Sequence, residues 1–484
     1  MNYYLGVDIG TSSVKVLAIT ETGETIARFA EDLSILSPQE GQQEQNPEDI
    51  LEAVLSVLKQ VMHDLKEQPL GVSFSAAMHG LICVDENGKT LTNCWLWSDA
   101  RSAEVAQSLR KNALGDIIFS ATGTPIHPMS PLCKIRWLQE NQSDIHAQTD
   151  CFFDIKSYLI WRLFGEKVID FSMASATGLF SGKKLKWDKQ ALDFCNISEK
   201  KLPKTVSTFY KLSPLKTEFA DKTGISSQTP FIIGASDGCL ANLGAGALNK
   251  GVAALTIGTS AAIRTTNSTF STAKTGSLFT YILEENKYLI GGASNNGGNV
   301  MQWFIEKVSN KKSVGNLFNK TKQIAAGAEG LSFLPYIFGE RAPLWDANAR
   351  GMYHGVSANH GQLHFAKATI EGILFNLRFI LEEIEETTEI SLQEVIAGGG
   401  FFRSKIGTQL AADILGKTII LRESHDNSAY GAVLQAMKGL EHISDYDEKQ
   451  NWWQEGSIFT PNEHLNQEYD TLFKKYQSLQ RKYS

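Results

Sequence analysis

A chain of 484 residues, 42% hydrophobic and 20% charged, can bury its cores without disulfide or metal staples and divides into two to four domains, or two large ones. Its net charge of -7 excludes the broad basic footprint of a nucleic-acid binder, although one local Lys or Arg suffices for a small anionic substrate. The six cysteines are scattered with no C-x-x-C pair, and no apolar stretch approaches the ~20 residues of a membrane span. The sequence therefore predicts a cytoplasmic protein with reduced thiols and neither nucleic acid nor membrane as partner.

The first element is an apolar run, Tyr4 to Ile9, that reaches Asp8 and then Gly10-Thr11-Ser12. A β-prone run from Val14 to Ile19 follows, so a hairpin is predicted. Pro47–Leu65 has helical spacing with acidic residues in its first turn. Leu70–Phe74 and Phe231–Gly234 are short apolar runs that break into small-residue turns, the second ending in Ala235-Ser236-Asp237-Gly238. From Ala253 the opening pattern returns: an apolar run, Gly258-Thr259-Ser260, and a β-prone run to Arg264. The two Thr positions stand about half the chain apart, which predicts two similar domains, 1–245 and 246–484, divided near Gly244–Lys250. His364–Glu386 reads as a long helix with Ile370, Ile373, Leu374, Leu377, Ile380 and Leu381 on one face. Leu392–Ala397 reads as a strand entering Gly398-Gly399-Gly400, and Lys405–Leu415 as a helix. Strands alternating with helices predict α/β layers.

Glycine lets backbone N–H groups approach an anion with no Cβ in the way. Gly10-Thr11-Ser12, Gly258-Thr259-Ser260, Gly297-Gly298-Asn299 and Gly398-Gly399-Gly400 are loops of that kind, spread over both halves. Each alone reads more readily as a turn joining elements, and the informative feature is the set. No G-x-x-x-x-G-K-[ST] is present: Gly416-Lys417-Thr418 has Ala411 where the first glycine belongs, and a β-prone run follows it.

The segments Met129–Asn141 and Gly351–Val356 with His364–Glu371 resemble the two signatures of the FGGY carbohydrate kinase family, and the resemblance runs from the Asp8 hairpin to Ser428–Ala436. It implies an α/β fold of two actin-like, ribonuclease-H-like domains with ATP and a sugar in the cleft between them. Thr122–Met129, Asp170–Ala176 and Gly339–Trp345 are similar to gluconate kinases, whereas Gly80, at the expected sugar pocket, is similar to xylulose kinases. D-Gluconate is the expected substrate and D-xylulose the alternative. An actin-like ATP-binding switch or sugar sensor is the non-enzymatic alternative, disfavoured by Asp237 and both signatures.

The resemblance also implies roles. Asp8 orients Mg²⁺, while Thr11, Ser12, Lys15, Gly258 and Thr259 meet the phosphates of ATP. Gly298, Gln302, Gly400, Ser404 and Asn427 form the nucleotide side. Asp237 is the catalytic base, and it lines the sugar with Met78, His79, Met129 and Arg341. Apart from the resemblance, the candidates to answer a substrate carboxylate are Arg341 first and His79 second, with His127 a further one. Trp97, Asp99 and Arg101 read equally as pocket or scaffold. His360 and His364 read as the exposed start of a helix rather than a metal pair. A homodimer is left open.

Overall fold

The computed structural model describes residues 2–309, 314–422, 426–453 and 456–483. Strands β1 (Tyr3–Ile9), β2 (Ser13–Thr20) and β3 (Thr25–Asp32) form an antiparallel meander in which Asp8 stands opposite Lys15. Helix α1 (Pro47–Leu65) forms with the bounds its sequence predicts. Asn46 caps it by accepting from the Glu48 N–H at 3.1 Å, Pro47 opens its first turn, and Ile50, Val54, Leu58 and Val61 bury one face. The chain returns as β4 (Gly71–Ala76), parallel to β1. Helices α2 (Pro131–Asn141) and α3 (Ile155–Phe164) precede β5 (Phe231–Ser236), which lies parallel to β4 and passes directly into α4 (Asp237–Gly244). The sheet order is β5-β4-β1-β2-β3.

The second half repeats this plan. The strands are β6 (Val252–Ile257), β7 (Ala261–Asn267), β8 (Phe279–Glu284) and β9 (Lys287–Ser294), followed by helices α5 (Gly298–Trp303) and α6 (Gln362–Thr388). Then come β10 (Glu394–Gly398), α7 (Lys405–Leu415), β11 (Thr418–Leu421), α8 (Asn427–Gly439), β12 (Ser457–Phe459) and α9 (Glu463–Tyr483). Strands β6, β7 and β9 pair antiparallel, while β10 and β11 continue from β6 in parallel. The order β9-β7-β6-β10-β11 therefore matches β3-β2-β1-β4-β5, with β8 and β12 added at the edges. The half-length repeat is a repeat of topology. All six apolar residues predicted on one face of α6 are buried. A strand follows Gly416-Lys417, where a P-loop needs a helix.

Helix α8 joins the halves. Its backbone lies so close to β1 and α4 that a Cβ at Gly6 would sit 2.0 Å from the Ala429 carbonyl oxygen, and one at Gly431 2.1 Å from that of Leu240. A single apolar cluster consequently runs from Tyr4 and Leu17 through Leu240 and Leu243 to Tyr430 and Val433. The six cysteines are unpaired and buried, as expected of small apolar fillers. Among the described residues, no helix is long and apolar enough to cross a membrane.

Candidate active site between the two halves

Parallel strands present ligands at their C-terminal ends, and Asp237 begins α4 at the end of β5. A bulge aims it. At Gly234 (φ 75°) the register of β5 shifts against β4, and a Cβ there would fall 1.9 Å from the Phe74 carbonyl oxygen. Lys156 of α3 braces the strand end, donating from Nζ to the Ala235 carbonyl at 2.9 Å and pairing with buried Asp170 at 2.8 Å. Burial pushes the Asp237 carboxyl above its usual range; the Gly238 N–H, donating to Oδ1 at 2.7 Å, and the Arg264 charge oppose that rise. A carboxylate so balanced suits proton acceptance.

Asp8, the penultimate residue of β1, accepts from Ser75 Oγ at 2.7 Å. Burial, reinforced by the nearby Asp237 and Asp426 charges, pushes Asp8 up to about 7. Carboxylates crowded in this way suit a hard divalent cation. Among the described residues, no three metal-ligating side chains gather, so such a cation would rely on one or two carboxylates plus phosphate oxygens. Lys15 points to the same region, with Nζ 3.0 Å from Asp426, which Arg28 also engages. Thr11 Oγ1 accepts from Trp97 Nε1 at 3.1 Å. Ser12 and Thr259 occupy the exposed tips of the two turns.

An acceptor-sized cavity of about 320 Å³ lies between Asp237 and the second sheet, walled by Met78, His79, Trp97, Met129, Tyr281 and Trp345 among others. His79 holds a left-handed backbone (φ 68°) that non-glycine residues rarely adopt. Buried Lys134 of α2 supports it, donating from Nζ to the carbonyls of His79 (2.7 Å), Leu96 (2.6 Å) and Trp95 (3.2 Å). Because His79 Nδ1 donates to the Ala176 carbonyl at 2.7 Å, Nε2 is left as an acceptor facing the Tyr281 hydroxyl at 3.4 Å. Burial, helped by the Lys134 charge, pushes His79 down to about 3. It is neutral, and so is buried His127, which burial likewise holds far below its usual value. Neither supplies a cation for a carboxylate.

The charged groups on the cavity wall are Asp237, Arg264 and Arg341. Arg341 is well supported: Nε donates to Asn295 Oδ1 at 2.8 Å, Nη2 to the Ser294 carbonyl at 3.4 Å, and the guanidinium lies 5.0 Å from the Trp97 ring centre. Buried Glu340 stiffens that loop by accepting from Ser294, Asn295, Asn296, Asn376 and the Arg341 N–H. Arg264 reaches the cavity from β7 and also lines an adjoining space of about 310 Å³.

A third cavity, of about 640 Å³, is lined by Gly258, Gly298, Met301, Gly400, Phe401 and Ser404. Gly399 (φ 100°) brings the backbone beside β6, where a Cβ would lie 2.4 Å from the Ile257 carbonyl oxygen. Bare backbone and flat apolar walls suit a purine and its sugar.

Most expected site residues thus meet around one cleft. Gln302 is exposed and bonds Glu306 instead of lining the third cavity. Asn427 lines the space of about 310 Å³, apart from Gly298 and Gly400. Gly80 does not line the acceptor cavity: a Cβ there would meet Cys94 Sγ at 3.2 Å, so its smallness serves packing. Asp99 and Arg101 form a buried ion pair with Glu44 and are scaffold, whereas Trp97 is pocket. His364 faces Glu329 at 3.4 Å at the start of α6. Sequence reasoning missed Arg264, Tyr281 and Lys134. Arg264 carried one signal, a cation alone at the end of a β-prone run.

Residues 3–244 match the N-terminal domain, and residues 253–440 the C-terminal domain, of the FGGY family of carbohydrate kinases. The chain is 36% identical over 491 aligned positions to a gluconokinase of Bacillus subtilis, covering 99% of this chain and 96% of that one. Two solved structures from Lactobacillus acidophilus, a gluconate kinase and a ligand-bound xylulose kinase, each superpose with a TM-score of 0.96 at 32% identity, covering 99% of this chain and 98% of theirs.

Proposed function

The chain belongs to the FGGY family of carbohydrate kinases, and from that premise we propose that it transfers the γ-phosphoryl group of ATP to the C6 hydroxyl of D-gluconate, giving 6-phosphogluconate. The observation that carries the choice of a sugar acid is the charge of the acceptor cavity. Two guanidinium groups face one carboxylate, both His79 and Tyr281 are neutral, and an anionic acceptor restores the balance.

In the reaction, the Asp237 carboxylate takes the proton as O6 attacks the γ-phosphorus. The new O6–P bond forms as the bond to the β-phosphate oxygen breaks, and ADP leaves. His79 Nε2 accepts from a sugar hydroxyl, and Met78, Met129 and Trp345 exclude water around the carbon chain. The Thr11 and Thr259 turns and Lys15 receive the phosphates. Asp8 would hold Mg²⁺, whose charge neutralises phosphate oxygens when bound. Gly258, Gly298, Gly400 and Ser404 would receive the nucleoside. We likewise propose the cytoplasm as the location and 1–245 and 246–484 as the two domains.

The second reading is D-xylulose as acceptor. It rests on the solved xylulose kinase, while Gly80 supports it less now that its smallness is explained by packing. The test is kcat/KM for both acceptors by coupled ADP release. Preference for gluconate is expected; preference for xylulose overturns the acceptor while leaving the kinase.

A further inference from the structure

The two arginines of the acceptor cavity are not equivalent. Arg341 spends two of its five donors on Asn295 and Ser294 and rests on Trp97, so the protein fixes its orientation. Arg264 has no such support. Among the described residues, none forms a hydrogen bond or ion pair with its guanidinium. Its place on β7 leaves it room, because its cross-strand neighbours are Ala254 and Gly291. Its Nε reaches the start of α4, lying 3.9 Å from where a Gly238 Cβ would stand, which is ordinary contact. A half-buried guanidinium that the protein leaves unpartnered on a cavity wall is open to an anionic ligand group. The Asp237 charge acts on it, yet the two form no ion pair. That separation leaves Asp237 free for the reacting hydroxyl.

We propose that Arg264 is the residue that receives the substrate's carboxylate and so selects a sugar acid over a neutral sugar. Arg341, named first from sequence, instead shapes the pocket through its fixed loop. The inference rests on the sugar-acid reading above and adds the residue responsible for it. A bidentate guanidinium–carboxylate contact is geometrically specific, and its loss leaves a buried carboxylate unpaired.

The test uses D-gluconate and D-glucitol, which carries a hydroxymethyl group in place of the carboxylate. Steady-state constants for gluconate and the inhibition constant for glucitol are measured on the parent, Arg264→Met, Arg264→Lys and Arg341→Met. Thermal melting and ATP affinity confirm that each variant is folded. For Arg264→Met the gluconate KM is expected to rise roughly 100-fold with a much smaller change in kcat, while glucitol shifts by less than about threefold; Arg264→Lys falls between. Three results overturn the proposal. A fall in kcat with unmoved KM would mean that Arg264 serves the transferring phosphoryl group. Equal weakening of both ligands would mean a role in pocket shape. Selective loss of gluconate in Arg341→Met but not in Arg264→Met would move the role to Arg341. Failure of the underlying reading shows separately: the parent would then bind glucitol as tightly as gluconate.

Discussion

The two Ile-Gly-Thr-Ser hairpins begin from nearly the same residues and end with opposite chemistry. In the first, Asp8 stands directly opposite Lys15. In the second, a turn one residue shorter sets Thr256 opposite Ala262, and the charged residue, Arg264, lies further along the strand. The first hairpin is acidic before its turn and ties its cation to Asp426; the second is neutral before its turn and leaves its cation unpaired. On the reading proposed above, one backbone device would give a metal-and-phosphate edge in the first half and, in the second, a phosphate turn beside an acceptor-binding cation. The lesson is that the same turn recurs in both halves, while register decides which charges accompany it.

Asp237, set between the two hairpins, should give the largest effect. Asp237→Asn is expected to lower kcat about 10³-fold while gluconate still binds by isothermal titration, because an amide cannot take the proton. A loss of less than tenfold would remove Asp237 from the chemistry and the hairpins from its service. The next variant pair tests the asymmetry itself. Asp8→Asn should cost roughly 100-fold in kcat at limiting Mg²⁺ and shift the Mg²⁺ titration upward, whereas Thr256→Val should cost less than about threefold. Equal costs would mean that both hairpins share the metal edge. Lys15→Met should then raise the KM for ATP by about tenfold and leave the acceptor KM in place, a division that initial-rate kinetics with both substrates varied will show.

The smallest effect is on stability against pH. Asp8 is pushed up to about 7 in the folded protein, against ~3.9 for a free Asp. The folded state therefore holds the proton more tightly, so this contribution is present below pH ~4 and is lost as pH rises through about 7. Melting of the ligand-free protein should fall across that window, and Asp8→Asn should flatten the fall. Thr256 in the second hairpin contributes no such slope.

Much of the frame was legible because local signals agreed with the fold. Asn46 and Pro47 mark the start of α1, the period of Ile370 to Leu381 marks the buried face of α6, and the repeated turn marks both hairpins. The pocket was read less completely, since its chemistry comes from partners distant in sequence. Lys134 reads as a surface residue of an ordinary helix until its Nζ is seen to hold three carbonyls of other segments. His79 reads as a candidate cation until burial makes it neutral. Gly80 reads as pocket until Cys94 is found against it. Arg264 needed the pairing register with Ala254 and Gly291 before its position on the cavity wall could be recognised.

Helix α8 comes late in the chain yet fills a place beside β1, where Gly6 admits its backbone and one apolar cluster spans both halves. A nick near residue 245 would therefore not release two working parts. The amino-terminal fragment would lack the helix that completes its sheet, and the carboxy-terminal fragment would carry that helix with its apolar face uncovered. Co-expressed, the fragments should recover turnover only by reassembling around this crossing, which makes the loop near 245 a natural place to build a split reporter for the enzyme's own assembly.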